Sequence, residues 1–341
     1  MPPFTASLAD PEEWRGKRVV ITGGTGFIGS YLVERLAPLA AKIIVPTRRP
    51  EPARHFAHLT EGPHACEVRV GDLLDRSFAE SLCEGADVVM LLAASVGGIE
   101  YNIKHPGSIF RDNIQVYLNT LEAARIHRVP RLLVTSSACV YPRDVTIPTP
   151  ESEGFRERPE PTNEGYGWSK RMEEFLAEKY AAEFGMSIAV ARPYNAYGPR
   201  DNFAPESSHV IPALVRKVFD PSTREITVWG SGKQSRSFLY VTDFVDGLIR
   251  VCEVARDPLA TNVGADDETT IGETVRIIAE IAKSNKPIVF DTTKPEGQPR
   301  RKCDVTKLER DFAFRARVDI RRGLEETVAY YRQHVFPHER F

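Results

Sequence analysis

The chain has 341 residues, is 42% hydrophobic and carries a formal net charge of −2. That length suits one large α/β domain, or a domain with a smaller companion. The near-neutral balance gives no basic field for nucleic acid or an anionic membrane surface, so neither is expected as a partner. No apolar run reaches the length that crosses a bilayer, and the N-terminal MPPFTASLADPEEW lacks the basic start and apolar stretch of a signal peptide. Cys66, Cys83, Cys139, Cys252 and Cys303 are odd in number and widely spaced, with no CxxC or Cys/His cluster. No metal site is expected, and the cysteine usage points to a reduced, cytoplasmic protein.

Taken in chain order, residues 17–22 (KRVVIT) predict a strand, followed at once by glycines and an amphipathic helix, FIGSYLVERLA. Further strands are expected over 42–47, 66–70, 86–93, 131–135 and 187–191, and helices over 107–127 and 163–184. Alternating strands and helices through about the first 190 residues indicate a parallel, doubly wound α/β sheet of Rossmann type. After Arg192 the rhythm changes: RPYNAYGPRDNFAPESSH is loop-rich, and helices are expected over 209–219, 243–254, 271–284 and near 323–334. The expected organisation is a dinucleotide-binding domain of 1–192 plus about 237–262. A smaller mixed α/β substrate lobe takes 193–236 and 263–341. A ligand would lie between them, at the carboxyl ends of the strands.

The turn Thr22–Gly29 reads TGGTGFIG, with glycines at Gly23, Gly26 and Gly29. The first allows a tight turn, the second lets backbone approach a pyrophosphate, and the third lets helix pack on strand. The helix N-terminus then points free N–H groups at phosphate. At the end of the second strand stand Arg48 and Arg49 rather than an acidic residue. Guanidinium groups suit a 2′-phosphate, which favours NADP(H) over NAD(H), although two solvated surface arginines would read the same way. Asp72, in GDLLD, either meets an adenine edge or caps the following segment.

Tyr166 and Lys170 form a YxxxK pair on one face of the 163–184 helix. A lysine beside a tyrosine favours the phenolate, making a usable acid/base. Ser137, at the end of the preceding strand, is placed to donate to a substrate carbonyl, so that the three together polarise a carbonyl for hydride transfer.

These stretches, with LAA at 92–94, SSACVYP at 136–142 and RPYNAYGP at 192–199, make the chain resemble the extended short-chain dehydrogenase/reductases, the NAD-dependent epimerase/dehydratase family. The resemblance runs from Val19 to about Tyr331. It implies bound NAD(P), a nucleotide-diphosphate-sugar substrate and a homodimer. It also implies dinucleotide contacts from Phe27, Ile28, Leu73, Ala93, Ala94 and Pro193.

Within the family, VGGI at 96–99, EPTNEGY at 160–166, GPRDNFAPESSHVIPAL at 198–214, VWGSGKQSRSFLYVTD at 228–243 and KPEGQPRRKCDVTKL at 294–308 resemble the GDP-L-fucose synthases. That resemblance implies C3/C5 epimerisation of a GDP-4-keto-6-deoxy-hexose and NADPH-dependent reduction at C4. It implies Cys139 and His209 as the proton-transfer pair, since a C4 ketone acidifies its neighbouring carbons and one group removes a proton while another returns it. Arg236 is implied at the pyrophosphate, with Val96, Gly97, Asn195, Val210, Lys217, Trp229 and Arg300 on the substrate side. Each retains an ordinary reading: Cys139 as a small core residue, His209 as the opening of a helix, Trp229 as core, and Arg300 and Arg301 as a solvated loop. Lys217 stands where fucose synthases have arginine, and the 50–70 stretch is longer than theirs. SSAC is shared with the GDP-mannose 3,5-epimerases, whose redox-neutral chemistry on tightly bound NAD is the alternative function. The 4,6-dehydratases fit less well, because Ala138-Cys139 stands where they place Asp-Glu.

Overall fold

The computed structural model describes residues 9–50, 55–205, 207–294 and 297–339. Residues 1–8, on which the N-terminal reading rests, 51–54 of the long 50–70 stretch, and 295–296 lie outside the described residues. The first half runs α1 (Pro11–Trp14), β1 (Arg18–Thr22), α2 (Phe27–Leu36), β2 (Lys42–Thr47), β3 (Glu67–Val70), α3 (Arg76–Cys83), β4 (Val88–Leu91), α4 (Ile99–Lys104), α5 (Pro106–Ile126), β5 (Arg131–Thr135), α6 (Glu164–Phe184) and β6 (Ile188–Pro193). The second half follows as β7 (Asn195–Tyr197), α7 (Val210–Phe219), β8 (Ile226–Trp229), β9 (Ser235–Arg236), β10 (Phe238–Tyr240), α8 (Val241–Val254), β11 (Thr261–Val263), β12 (Thr269–Thr270), α9 (Ile271–Ala282), β13 (Ile288–Asp291), β14 (Arg300–Arg301), α10 (Thr306–Phe312) and α11 (Ile320–Tyr330).

Seven strands form one parallel sheet in the order β11-β6-β5-β4-β1-β2-β3. The strands are continuous apolar runs because helices cover both faces. Val19, Val20 and Ile21 of β1 are fully buried, each worth about 1.5–3 kcal/mol relative to exposure. One core lies under α2 and α8 and the other under α3, α5 and α6. The strand order reverses between β1 and β4, so a crevice opens at their carboxyl ends. The Thr22 hydroxyl closes the base of that crevice by accepting from the Leu92 and Ala93 N–H groups at 3.0 and 3.1 Å.

The remaining strands make small sheets: β12-β9-β14, β8-β13 and β7-β10. Helix α4 was not expected from the sequence. It is only six residues long, and it abuts α5, which starts at Pro106, where the missing N–H costs nothing. The C-terminal helix starts earlier than the expected 323, at Ile320, where the Asp319 carboxylate accepts from the Arg322 N–H.

Candidate active site

The glycine turn joins β1 to α2. Gly23 has φ +71°, a left-handed conformation that side chains resist. A Cβ on Gly29 would lie 2.2 Å from the Gly23 carbonyl oxygen, so α2 meets the turn backbone to backbone. Gly26 is the N-cap of α2, and Phe27 and Ile28 form its first turn. This is a concave cradle at a helix N-terminus, and it fits a dinucleotide pyrophosphate. Arg48 and Arg49 are exposed past β2, and neither guanidinium has an ion-pair partner among the described residues. Asp72 is exposed, and its carboxylate accepts from the Leu74 N–H at 3.0 Å, which is the turn role. Leu73 is buried, and its carbonyl accepts from Asn119 at 2.8 Å. Ala93 and Ala94 lie partly exposed beyond β4, while Pro193 is buried at the end of β6. His55 reaches back to within 3.2 Å of the Thr25 carbonyl, so this point after β2 leans on the glycine turn.

Ser137 follows β5 and caps a single 3-10 turn, Ala138–Val140, its hydroxyl accepting from the Cys139 N–H at 3.2 Å. The turn is held from behind. Buried Arg171 donates twice to the Val140 carbonyl, at 2.9 and 2.6 Å. Ser136 donates to Glu174, which grips Arg192 at 2.6 and 2.5 Å. Arg192 in turn meets the Tyr141 hydroxyl at 3.2 Å, and Tyr141 donates to Asn262 at 2.6 Å. Buried charges paired this completely fix a geometry, although they add little net stability.

Helix α6 brings Tyr166 to Ser137. It approaches closely because Gly167 has no side chain: a Cβ there would fall 2.5 Å from the Cys139 carbonyl oxygen. Burial raises the Tyr166 pKa well above its ordinary value, and the neighbouring Cys139 and Glu173 raise it further. The Ser137 hydroxyl, which can donate to the phenolate, acts the other way. Lys170 lies 5.6 Å from the centre of the Tyr166 ring, its ammonium donating to the Thr135 carbonyl and to Glu173, both at 2.9 Å.

Cys139 is the one cysteine of the five that is not buried. Its sulfur accepts from the Asn163 amide at 3.1 Å and lies 4.0 Å from Nη1 of Arg301. Arg301 is buried and aimed by Gln298, which accepts from its Nε at 2.7 Å and donates to the Pro142 and Arg143 carbonyls. Arg236 stands beside them. Burial lowers its pKa, Arg301 lowers it further, and Glu160 and Cys139 oppose this. The structure thus gathers Ser137, Cys139, Tyr166, Lys170 and Arg236 into one contact set.

His209 caps α7, half exposed, with Nδ1 at 3.9 Å from Asp201. Desolvation of the ring lowers its pKa, but the nearby Asp201 carboxylate more than offsets this, and the net shift is upward. Among the described residues no hydrogen bond or ion pair joins His209 to Cys139 or Tyr166. Its loop does reach the site: a Cβ on Gly98 would lie 3.2 Å from the Ser208 carbonyl oxygen. Gly97 is buried in that Gly-Gly turn, and Val96 and Val210 are exposed on either side.

The other expected substrate residues divide. Asn195 donates to the Ser237 carbonyl at 3.1 Å. Trp229, expected on the substrate side with core as the alternative, is 39% exposed rather than core, and Lys217 and Lys294 each stand 5.7 Å from its ring centre. Lys217 also donates to the Thr227 carbonyl, and burial lowers its pKa. Arg300 is turned out of the site. Successive residues of a strand point to opposite faces, so Arg300 meets Glu268 at 2.7 Å near solvent while Arg301 takes the inner position. Asn163, Asp201, Gln298 and Glu173 were not singled out from the sequence, although Asn163, Asp201 and Gln298 stood in stretches already marked, EPTNEGY, GPRDNFAPESSHVIPAL and KPEGQPRRKCDVTKL.

A cradle at the switch point of a doubly wound sheet, with a Ser/Tyr/Lys set beside it, defines a dinucleotide-dependent enzyme. Residues 19–264 match the model of the NAD dependent epimerase/dehydratase family, and the chain belongs to it. It is therefore an NAD(P)-dependent enzyme of the extended short-chain dehydrogenase/reductase type. A probable GDP-L-fucose synthase from rice is 32% identical over 98% of this chain and 96% of its own. The GDP-L-fucose synthase of Escherichia coli K12 is 36% identical over 73% of this chain and 81% of its own. The crystal structure of a GDP-L-fucose synthetase from Naegleria fowleri shares the fold with a TM-score of 0.78, covering 96% of each chain at 24% identity.

Proposed function

We propose that the protein is an epimerising reductase of a nucleotide-diphosphate 4-keto-6-deoxy-sugar, with a GDP-sugar as the favoured substrate and NADP(H) as the favoured cofactor. The observation that carries this is the position of Cys139. A solvent-reachable thiol with two polar partners stands two residues after Ser137, which with Tyr166 makes a loop–helix pair suited to hold a carbonyl oxygen.

Ser137 and Tyr166 hold the C4 oxygen and stabilise the negative charge that grows there when a neighbouring carbon loses its proton. Cys139 removes or returns a proton at C3 or C5, with Asn163 fixing the direction of the sulfur. His209 serves as its counterpart from the α7 loop, its protonated form favoured by Asp201. The same held carbonyl then accepts a proton from Tyr166. Residues Gly23–Gly29 would hold the pyrophosphate, Arg48 and Arg49 the 2′-phosphate and Lys170 the ribose of a nicotinamide dinucleotide, which supplies hydride when bound. Arg236 and Arg301 suit the sugar-nucleotide diphosphate, and the exposed Trp229 face between two lysines suits a nucleobase.

The exposed Phe110 of α5 and Phe175 of α6 support a homodimer through those helices. The five free cysteines support a cytoplasmic role, and no helix among the described residues is long and apolar enough to cross a membrane. Incubation with GDP-4-keto-6-deoxy-mannose and NADPH should oxidise the dinucleotide and introduce solvent deuterium at C3 and C5. Failure to oxidise NADPH with this substrate and with other nucleotide 4-keto-sugars would refute the reading.

A further inference from the structure

Lys170 is not a lone ammonium. Its Nζ and the Glu173 carboxylate stand 2.9 Å apart with side chains only 3% and 4% exposed. In YxxxK chemistry the lysine lowers the tyrosine pKa through its charge. A carboxylate at contact distance, with no water to screen it, cancels most of that charge as seen from the tyrosine. Glu173 lies one turn beyond Lys170 on the same face of α6, so the cancellation is built into the helix that carries Tyr166.

We propose that Glu173 is a positioning residue that neutralises Lys170 and keeps Tyr166 in its acid form, so that this site donates a proton to a carbonyl more readily than it takes one from an alcohol. The proposal rests on the carbonyl-reducing reading above and gives it a direction. In the step concerned the Tyr166 O–H bond breaks and an O–H bond forms on the C4 oxygen as C4 gains a hydride. The ketone is reduced at the expense of a reduced nicotinamide dinucleotide, and the phenolate left behind regains its proton from solvent.

The surroundings agree. Tyr166 faces Cys139 from the turn and Glu173 from its own helix, both favouring the protonated phenol, and only Ser137 opposes them. Glu173 faces Lys170 and Glu174 on α6. From α5, Tyr117 donates to the Glu173 backbone carbonyl at 2.8 Å, and β5 offers the Thr135 carbonyl. Of the other nearby cations, Arg192 of β6 is bound to Glu174 and Arg171 of α6 is turned to the Val140 carbonyl. Burial pushes the Glu173 carboxyl up to about 7, with Lys170 opposing and Glu174 adding to the rise, so the compensating charge is present above neutral pH.

The test is an ultraviolet difference titration of tyrosinate in the full-length protein without ligand, comparing wild type with Tyr166→Phe and Glu173→Gln. In wild type, no tyrosinate that Tyr166→Phe removes should form below about pH 9. In Glu173→Gln that ionisation should move down by about one pH unit, a tenfold change, while Glu173→Asp stays near wild type. A Tyr166 phenolate in the wild type below that pH, or an unmoved ionisation in Glu173→Gln, would overturn the proposal. If Glu173→Gln fails to fold by circular dichroism, the comparison of wild type with Tyr166→Phe still decides. The titration uses no substrate, so it can fail while sugar-nucleotide turnover stands, and the reverse.

Discussion

The Asn163 amide donates to the Cys139 sulfur across 3.1 Å, linking the N-cap of the tyrosine helix to the turn that carries the serine. The thiol is thereby aimed by the helix that positions Tyr166. Proton transfer at carbon and proton donation to oxygen share one frame.

Cys139→Ser keeps the size of the group and removes its acidity. Solvent deuterium incorporation at C3 and C5 should fall by about a hundredfold or more, within the usual range for loss of a general acid or base. NADPH affinity, measured by fluorescence quenching, should stay within about twofold, because the glycine turn lies on another loop. Unchanged exchange would return Cys139 to a packing role.

Arg300 and Arg301 are adjacent in sequence and opposite in orientation. Arg301→Met should weaken GDP binding by about tenfold or more, as expected when a charge-assisted contact worth about 1.5–3 kcal/mol is lost. Arg300→Met removes a solvent-side pair worth about 0–1 kcal/mol and should leave binding nearly unchanged. Calorimetric titration of both variants with GDP is the measurement; equal losses would contradict the orientation.

His209 has its pKa raised in the folded protein, so its pairing with Asp201 contributes to stability fully below the unfolded value near 6.5 and loses that contribution as pH rises through the folded value. Where protonated His209 delivers the proton, epimerisation should fall over that same upper range. Asp201→Asn removes the raising influence and should move the fall to lower pH. A pH–rate profile of deuterium incorporation for both proteins checks the sign.

Among the described residues, neither Arg48 nor Arg49 has an ion-pair partner to lose. Replacing both with alanine should raise the Kd for NADPH by about tenfold or more and barely alter that for NADH, since only the former carries the 2′-phosphate. Equal effects on the two would favour NAD(H) and weaken the cofactor assignment.

The sheet, the glycine turn and the Ser/Tyr/Lys set were legible because each rests on a local pattern. Continuous apolar runs mark buried strands, and a four-residue spacing fixes a helical face. Arg300 and Arg301 could not be sorted, because the answer depends on the register of a two-residue strand against β9. Glu173 was invisible as a partner, since an acidic residue three positions after a lysine usually forms a solvated surface pair. Only the burial of that face of α6, against α5 and β5, gives the pair its weight. Asp201 is eight residues before His209, across a loop whose path no periodicity dictates.

Gly167 sets a mechanical condition on this site. At Gly167 helix α6 meets the Cys139 backbone carbonyl directly, with no side chain of its own there to absorb a shift. The gap between the serine and tyrosine oxygens is therefore a rigid dimension of the protein, like the jaw of a fixed wrench. A different substrate would have to be accommodated by the distant gripping parts, Trp229, Lys217 and the α7 loop. Changes of sugar or base over evolution should then leave the jaw alone and reshape the handle.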